Sequence, residues 1–110
     1  MSRPLILLTL LVCALLEVGG DALVRRGMHA GSQAARVGFF VMAAGVLFAY
    51  GWLVNRPPWS FGTLLGIYVV MFFVVSQVVG WIAFGERPGV AMWVGGGLVV
   101  AGGIVMSVWR

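Results

Sequence analysis

Leu5–Val24 reads LILLTLLVCALLEVGGDALV, a stretch whose only charged side chains are Glu17 and Asp21. A helix of about 20 predominantly apolar residues is long enough to cross the hydrocarbon core of a bilayer. A charged carboxylate near the centre of such a helix costs about 3 kcal/mol on insertion scales. An acid at this depth is therefore a candidate proton, ion or substrate site.

The composition of the whole chain indicates a lipid environment. Its 110 residues are 62% hydrophobic and 9% charged, whereas soluble domains have about 25% charged residues. The net charge of +4 comes from arginines that are scattered between the apolar runs. Because they form no continuous basic patch, they indicate anchors at the membrane surface and not a nucleic-acid partner.

Three further apolar segments match the first in length. The double proline Pro57–Pro58 separates the second from the third, because neither ring can donate a backbone hydrogen bond and Pro58 disfavours a helical conformation at Pro57. We therefore expect an all-α integral membrane protein, a single four-transmembrane-helix bundle covering residues 1–110. The predicted spans are Leu5–Val24, Val37–Val54, Trp59–Gly85 and Gly89–Trp109, and the largest predicted loop is Arg25–Ala35.

The arginines are nearly balanced across this topology. Cytoplasmic loops normally carry an excess of Arg and Lys, so the balance predicts insertion in both orientations and permits an antiparallel homodimer. The alternative is a single orientation fixed by other signals or by a partner chain, as in a heterodimer. One side carries Arg3, Arg56 and Arg110, and the other carries Arg25, Arg26, Arg36 and Arg87.

Polar side chains recur at every fourth position of the first span, at Thr9, Cys13, Glu17 and Asp21. Residues four apart share one face of a helix. Burial disfavours the charged form of a carboxylic acid, so Glu17 suits reversible protonation, and an entering cation would displace its proton. Asp21 either extends this site or pairs with Arg25 at the helix end. Candidate partners for Glu17 in other spans are Tyr50, Tyr68, Ser76 and Gln77.

The third and fourth spans add two candidate features. Tyr68 can donate a hydrogen bond to a membrane carboxylate or offer its ring to a cation; the alternative is an ordinary packed aromatic. Gly95 and Gly102 are seven residues apart and, with Ala101, form a small-residue strip suited to close helix pairing. That pairing is either between two chains or within one.

No residue pattern supports catalysis or a metal centre. The chain has one Cys and one His, and it lacks a Ser-His-Asp set, Cys/His metal spacing and a phosphate-binding loop. We expect no catalytic residue, no metal, no enzymatic activity and no cofactor besides a coupling proton.

Taken together, these stretches resemble the small multidrug resistance family of the drug/metabolite transporter superfamily. The similar segments are LLEVGGDAL at 15–23, FGERP at 84–88 and the glycines of 95–103. The resemblance implies an antiparallel dimer in the cytoplasmic (inner) membrane, in which Glu17 binds protons and cations in alternation. By position, Gly20 and Arg25 match the family's glycine and basic residue after that Glu, and Gly95 and Gly102 match its dimerisation strip.

The third span departs from that family. It reads LGIYVVM at 65–71, without the family's Tyr-Ala-x-Trp-x-Gly-x-Gly stretch, and Asp21 replaces a small polar residue. Two hypotheses about function follow. One is a proton-coupled antiporter exporting small or hydrophobic cations, with a site of Glu17, Asp21, Tyr68 and Gly20. The other is a non-transporting or flippase-associated small membrane subunit that acts with a partner chain.

Overall fold

A computed structural model describes residues 2–109 as four helices joined by short connections. They are α1 (Arg3–Met28), α2 (Gln33–Val54), α3 (Phe61–Phe84) and α4 (Val90–Val108). Each is long and apolar enough to cross a membrane, and residues 2–109 contain no strand. The prediction of an all-α, four-span membrane protein is confirmed. Arg110, which was used in the charge count, lies outside the described residues.

The first connection is much shorter than the sequence predicted. α1 continues through the Arg25–Arg26 pair and ends at Met28, and α2 begins at Gln33. Arginines in the last turn of a helix interact favourably with its dipole, so the chain leaves the hydrocarbon without leaving the helix. The Ser32 hydroxyl caps α2 by accepting a backbone hydrogen bond. The predicted loop at 25–35 was therefore wrong in extent.

A left-handed glycine ends α3 and turns the chain back on it. Gly85 has a φ of 65°, and the amides of Gly85 and Glu86 donate to the carbonyls of Trp81 and Gly80 at 3.1 Å each. The Glu86 side chain then lies against α3. A Cβ added to Gly80 would be 2.7 Å from Glu86 Oε1, so only glycine leaves room for this carboxylate.

α1 lies at the centre of the bundle and α4 at its edge. α1 packs against both α2 and α3, whereas α4 packs against α3. Every fourth residue of α1 from Ile6 to Val18 is buried in the core, as expected for one face of a helix. Leu64, Ile67 and Tyr68 of α3 complete this core.

Two glycines determine how closely α4 packs on α3. Gly96 faces the Phe73 ring and Gly103 faces the Val70 side chain. In both places an added Cβ would clash with the facing side chain. Small residues permit such close approach between helices in membranes. The contact between α3 and α4 therefore depends on glycines next to those singled out in the sequence.

The predicted small-residue strip faces away from the bundle. Gly95 and Gly102 have open space where a Cβ would lie, and Ala101 is exposed. Packing of this strip within one protomer is therefore not what the structure contains. Its three residues remain available to lipid or to another chain.

Large apolar side chains cover the outside of the molecule. Ile82 is 73% exposed and Leu98 is 71% exposed. Soluble monomers rarely expose contiguous apolar surface on this scale. This surface, together with four span-length helices, indicates a multi-pass membrane protein in contact with the lipid bilayer.

Candidate functional site

Glu17 lies near the midpoint of α1. It is fourteen residues after Arg3, the first residue of this helix, and hence about 21 Å along the axis at 1.5 Å per residue. The hydrocarbon core of a bilayer is about 30 Å thick, so this position is far from both membrane surfaces. The side chain is half-buried in the single chain.

A hydrogen bond from α3 holds the Glu17 carboxylate. The Tyr68 hydroxyl donates to Glu17 Oε1 at 2.7 Å, and Tyr68 itself is 3% exposed within the core between α1 and α3. An unpaired hydroxyl is costly away from water, so the bond satisfies both partners. Of the interpretations of Tyr68 made from the sequence, the hydrogen bond to a membrane carboxylate is present.

Tyr50 brings α2 to the same place. Its ring stacks on that of Tyr68 with centroids 5.6 Å apart and planes 29° apart, and it interacts electrostatically with Glu17. Phe72 contributes a third ring, with its centroid 6.3 Å from that of Tyr68. The carboxylate therefore lies beside a small aromatic cluster, which can attract a cation through the ring faces.

Asp21 lies one helical turn nearer the membrane surface, outside the Tyr68 hydrogen bond. It is exposed and lines a cleft of about 150 Å³ between α1 and α3, together with Arg25 and Glu86. The Arg25 guanidinium is stacked over the Phe84 ring, 5.6 Å from its centroid. Asp21 thus shares a cleft with a second carboxylate as well as with the arginine predicted as its partner.

Gly20 serves helix packing in this structure. It is buried against α2, where an added Cβ would be 2.5 Å from Leu47 Cδ2. The neighbouring Gly19 has open space at the same position. The sequence placed Gly20 in the binding site, whereas the structure places it in the contact between α1 and α2.

Two residues near the site were not predicted as part of it. Tyr50 was a candidate partner of Glu17, and its stacking on Tyr68 follows from the packing of three helices, which the sequence does not reveal. Glu86 was interpreted only as the end of the third span. The signal for its return was local, because the left-handed Gly85 before it and Gly80 on the last turns of α3 create the space for its side chain.

The chemistry available at Glu17 is that of one carboxylate among aromatic rings. Within residues 2–109, no group of three or more His, Cys, Asp or Glu side chains is placed to hold a metal ion. Cys13, one turn before Glu17, is a buried free thiol. The carboxylate can accept a proton, or it can balance the charge of a cation.

Comparison with known proteins places the chain in a family. A UPF0060 membrane protein from Herpetosiphon aurantiacus is 30% identical to it over 101 residues, covering 90% of this chain and 89% of the relative. The chain belongs to the UPF0060 family of membrane proteins. The relation covers most of the UPF0060 bundle and leaves the resemblance to the small multidrug resistance family unconfirmed. No family model and no solved structure matches the chain.

Proposed function

We propose that this UPF0060 protein is a proton-coupled antiporter that exports small or hydrophobic cations. The observation that supports this most strongly is the 2.7 Å hydrogen bond from Tyr68 to Glu17, deep in the membrane. Acids at that depth are rare and usually mark ion or substrate pathways. The described arginines all lie in terminal turns of helices or in connections, so none is placed to neutralise Glu17 permanently.

Coupling arises from competition for one carboxylate. When Glu17 is protonated it carries no charge and has no electrostatic attraction for a cation. When it is deprotonated, a bare charge in lipid is unfavourable, so either a proton or a cation is drawn to it. Tyr68 can donate to a carboxylate or to the carbonyl oxygen of the protonated acid, and it therefore holds the group in both states. Exchange of the two ligands at opposite membrane surfaces is antiport.

The aromatic cluster favours organic cations as substrates. The rings of Tyr50, Tyr68 and Phe72 adjoin the carboxylate, and a weakly hydrated cation gains from ring faces as well as from the counter-charge. A strongly hydrated metal ion would need several oxygen ligands, and the neighbourhood of Glu17 does not offer such a set. Small guanidinium-like ions and larger lipophilic ions both remain within this class.

The transporter acts as an antiparallel homodimer. In a single chain the exposed Asp21 would face lipid at a considerable cost, and a second copy would cover it. The strip of Gly95, Ala101 and Gly102 lies open on α4, where small residues suit helix pairing. The nearly equal arginine counts on the two sides of the membrane support insertion in both orientations.

Transport by reconstituted vesicles tests this function. Purified protein in liposomes should move protons outward when a cation gradient is imposed inward, for at least one cation in a series from guanidinium to tetraphenylphosphonium. Glu17→Gln should abolish this exchange. Glu86→Gln makes the same chemical change outside the membrane centre and should retain it. Absence of exchange for every cation, with native helicity retained, would contradict the proposal.

The open face of α4 also fits a second candidate, a small subunit that acts with a different partner chain. Gly95 and Gly102 would accept a foreign helix as readily as a second copy. Tags on both termini distinguish the two candidates. Populations in both orientations support the antiparallel homodimer, whereas a single fixed orientation contradicts it and favours the heteromeric subunit.

A further inference from the structure

A basic groove lies where α1 ends, well away from Glu17. It has a volume of about 530 Å³. We call it the arginine groove: its polar lining is Arg25, Arg26 and His29, and its apolar walls include Phe39 and Phe84. This groove has no part in the proposed transport chemistry.

The arginine groove lies at the level of the lipid headgroups. Arg25 is twenty-two residues after Arg3 in the same continuous helix, which corresponds to about 33 Å along the axis. The hydrocarbon core is about 30 Å thick. With the start of α1 at one membrane surface, the two guanidinium groups reach the opposite surface, where phosphates of the leaflet are found.

The structure holds both guanidinium groups in place. Arg25 and Arg26 lie over the same Phe84 ring, with distances of 5.6 and 5.5 Å to its centroid. Arg26 Nη2 donates to the Ala83 carbonyl at 3.3 Å, and His29 Nδ1 donates to the Arg25 carbonyl at 2.9 Å. Donors that are already oriented lose less freedom when they bind an anion.

The charge of the groove is unbalanced on its own side. Its lining contains no carboxylate. The nearest acids, Asp21 and Glu86, line the separate cleft on the other side of Arg25. Two cations that share one ring repel each other, and an anion between them would relieve this repulsion. Guanidinium groups bind phosphate through paired, charge-assisted hydrogen bonds.

We propose that the arginine groove binds the phosphate headgroup of an anionic membrane lipid. Arg25 and Arg26 contact the phosphate, and the walls formed by Phe39 and Phe84 accommodate the apolar glycerol and upper acyl region. Basic pockets between transmembrane helices are suited to such headgroups. The position at the leaflet surface favours a lipid over a dissolved phosphate, because the lipid's phosphate is already held at that depth.

Lipid selectivity in reconstituted bilayers tests this proposal. Electron paramagnetic resonance with spin-labelled phosphatidylglycerol and phosphatidylcholine gives the ratio of their association constants for the protein. The wild type should favour phosphatidylglycerol. Arg26→Gln should lower the ratio about fivefold, the equivalent of about 1 kcal/mol for one arginine near an anionic surface. Arg26→Lys keeps the charge and should retain most of the preference, which separates binding from misfolding.

Arg56→Gln is the matched control. Arg56 is also stacked on an aromatic ring, 4.6 Å from the Trp52 centroid, but it lies at the end of α2 outside the groove. Its loss should change the ratio much less than Arg26→Gln does. Equal losses in the two variants, or no preference in the wild type, would overturn the proposal. Added inorganic phosphate should leave the ratio unchanged; its abolition by phosphate would instead indicate a general anion site and overturn the lipid assignment.

Discussion

α1 and α4 are both long, apolar and able to span the membrane, yet they have opposite surroundings. α1 packs against two helices and buries every fourth residue from Ile6 to Val18. α4 packs on α3, and apart from Gly96 and Gly103 its residues are exposed or half-buried. The acids of the membrane interior are both on α1, whereas Val90–Val108 contains no ionisable residue.

This difference links chemistry to protein contacts. A carboxylate can be kept in lipid only if other parts of the protein stabilise it, and α1 has neighbours on two sides that provide Tyr68 and Tyr50. α4 lacks such neighbours and carries only small and apolar residues. We infer that α1 is the helix of ligand exchange and α4 the helix of association.

Glycine positions on α4 give the largest expected change in stability. Gly103→Leu places a side chain where Val70 already lies, and overpacking of this kind costs about 1–3 kcal/mol. Gly102→Leu points into open space and should leave the free energy of unfolding of the protomer unchanged. Unfolding in mixed detergent measures both. Equal losses would mean that α4 does not pack on α3 through the face described.

The same comparison can be made on α1 with a smaller effect. Gly20→Ala meets the flexible tip of Leu47, so we expect a loss of about 1 kcal/mol as that side chain shifts. Gly19→Ala meets no atom within 4 Å and should be neutral, or stabilising by about 0.5 kcal/mol through helix propensity. The same unfolding assay compares them. A greater loss for Gly19→Ala would contradict the packing of α1 on α2.

The sequence predicted the fold well and the site in part. Hydropathy alone located the four spans, because lipid leaves few alternatives to a long apolar helix. It misplaced the end of α1, since Arg25 and Arg26 signal the end of the hydrocarbon and not the end of the helix. Periodicity placed Glu17 on one face of α1.

The remaining details depend on tertiary structure. The choice of Tyr68 among several possible partners of Glu17 required the position of α3 beside α1. Periodicity likewise placed Gly95 and Gly102 on one face and Gly96 and Gly103 on the next, but it could not say which face meets α3. Glu86 came back to the bundle through the conformation of a single residue, Gly85.

The Tyr68 hydrogen bond should contribute the smallest stability effect. Hydrogen bonds between helices in membranes average about 0.6 kcal/mol, with a maximum near 1.7 kcal/mol. We expect a coupling energy of that size between Tyr68→Phe and Glu17→Gln in a double-mutant cycle measured by unfolding. Tyr50→Phe, combined with Glu17→Gln, is the comparison on α2, where no short hydrogen bond to Glu17 is formed, and its coupling should be smaller. Zero coupling for Tyr68 would remove the hydrogen bond as the support of the site.

Proton release from the purified protein tests the central role of Glu17 most directly. Tetraphenylphosphonium added to weakly buffered protein in detergent should release protons in the wild type and in Glu86→Gln, as reported by a pH indicator. Glu17→Gln should release none, because its amide cannot exchange a proton for a cation. Release that persists in a folded Glu17→Gln variant, or no release from the wild type with any cation tested, would contradict the account.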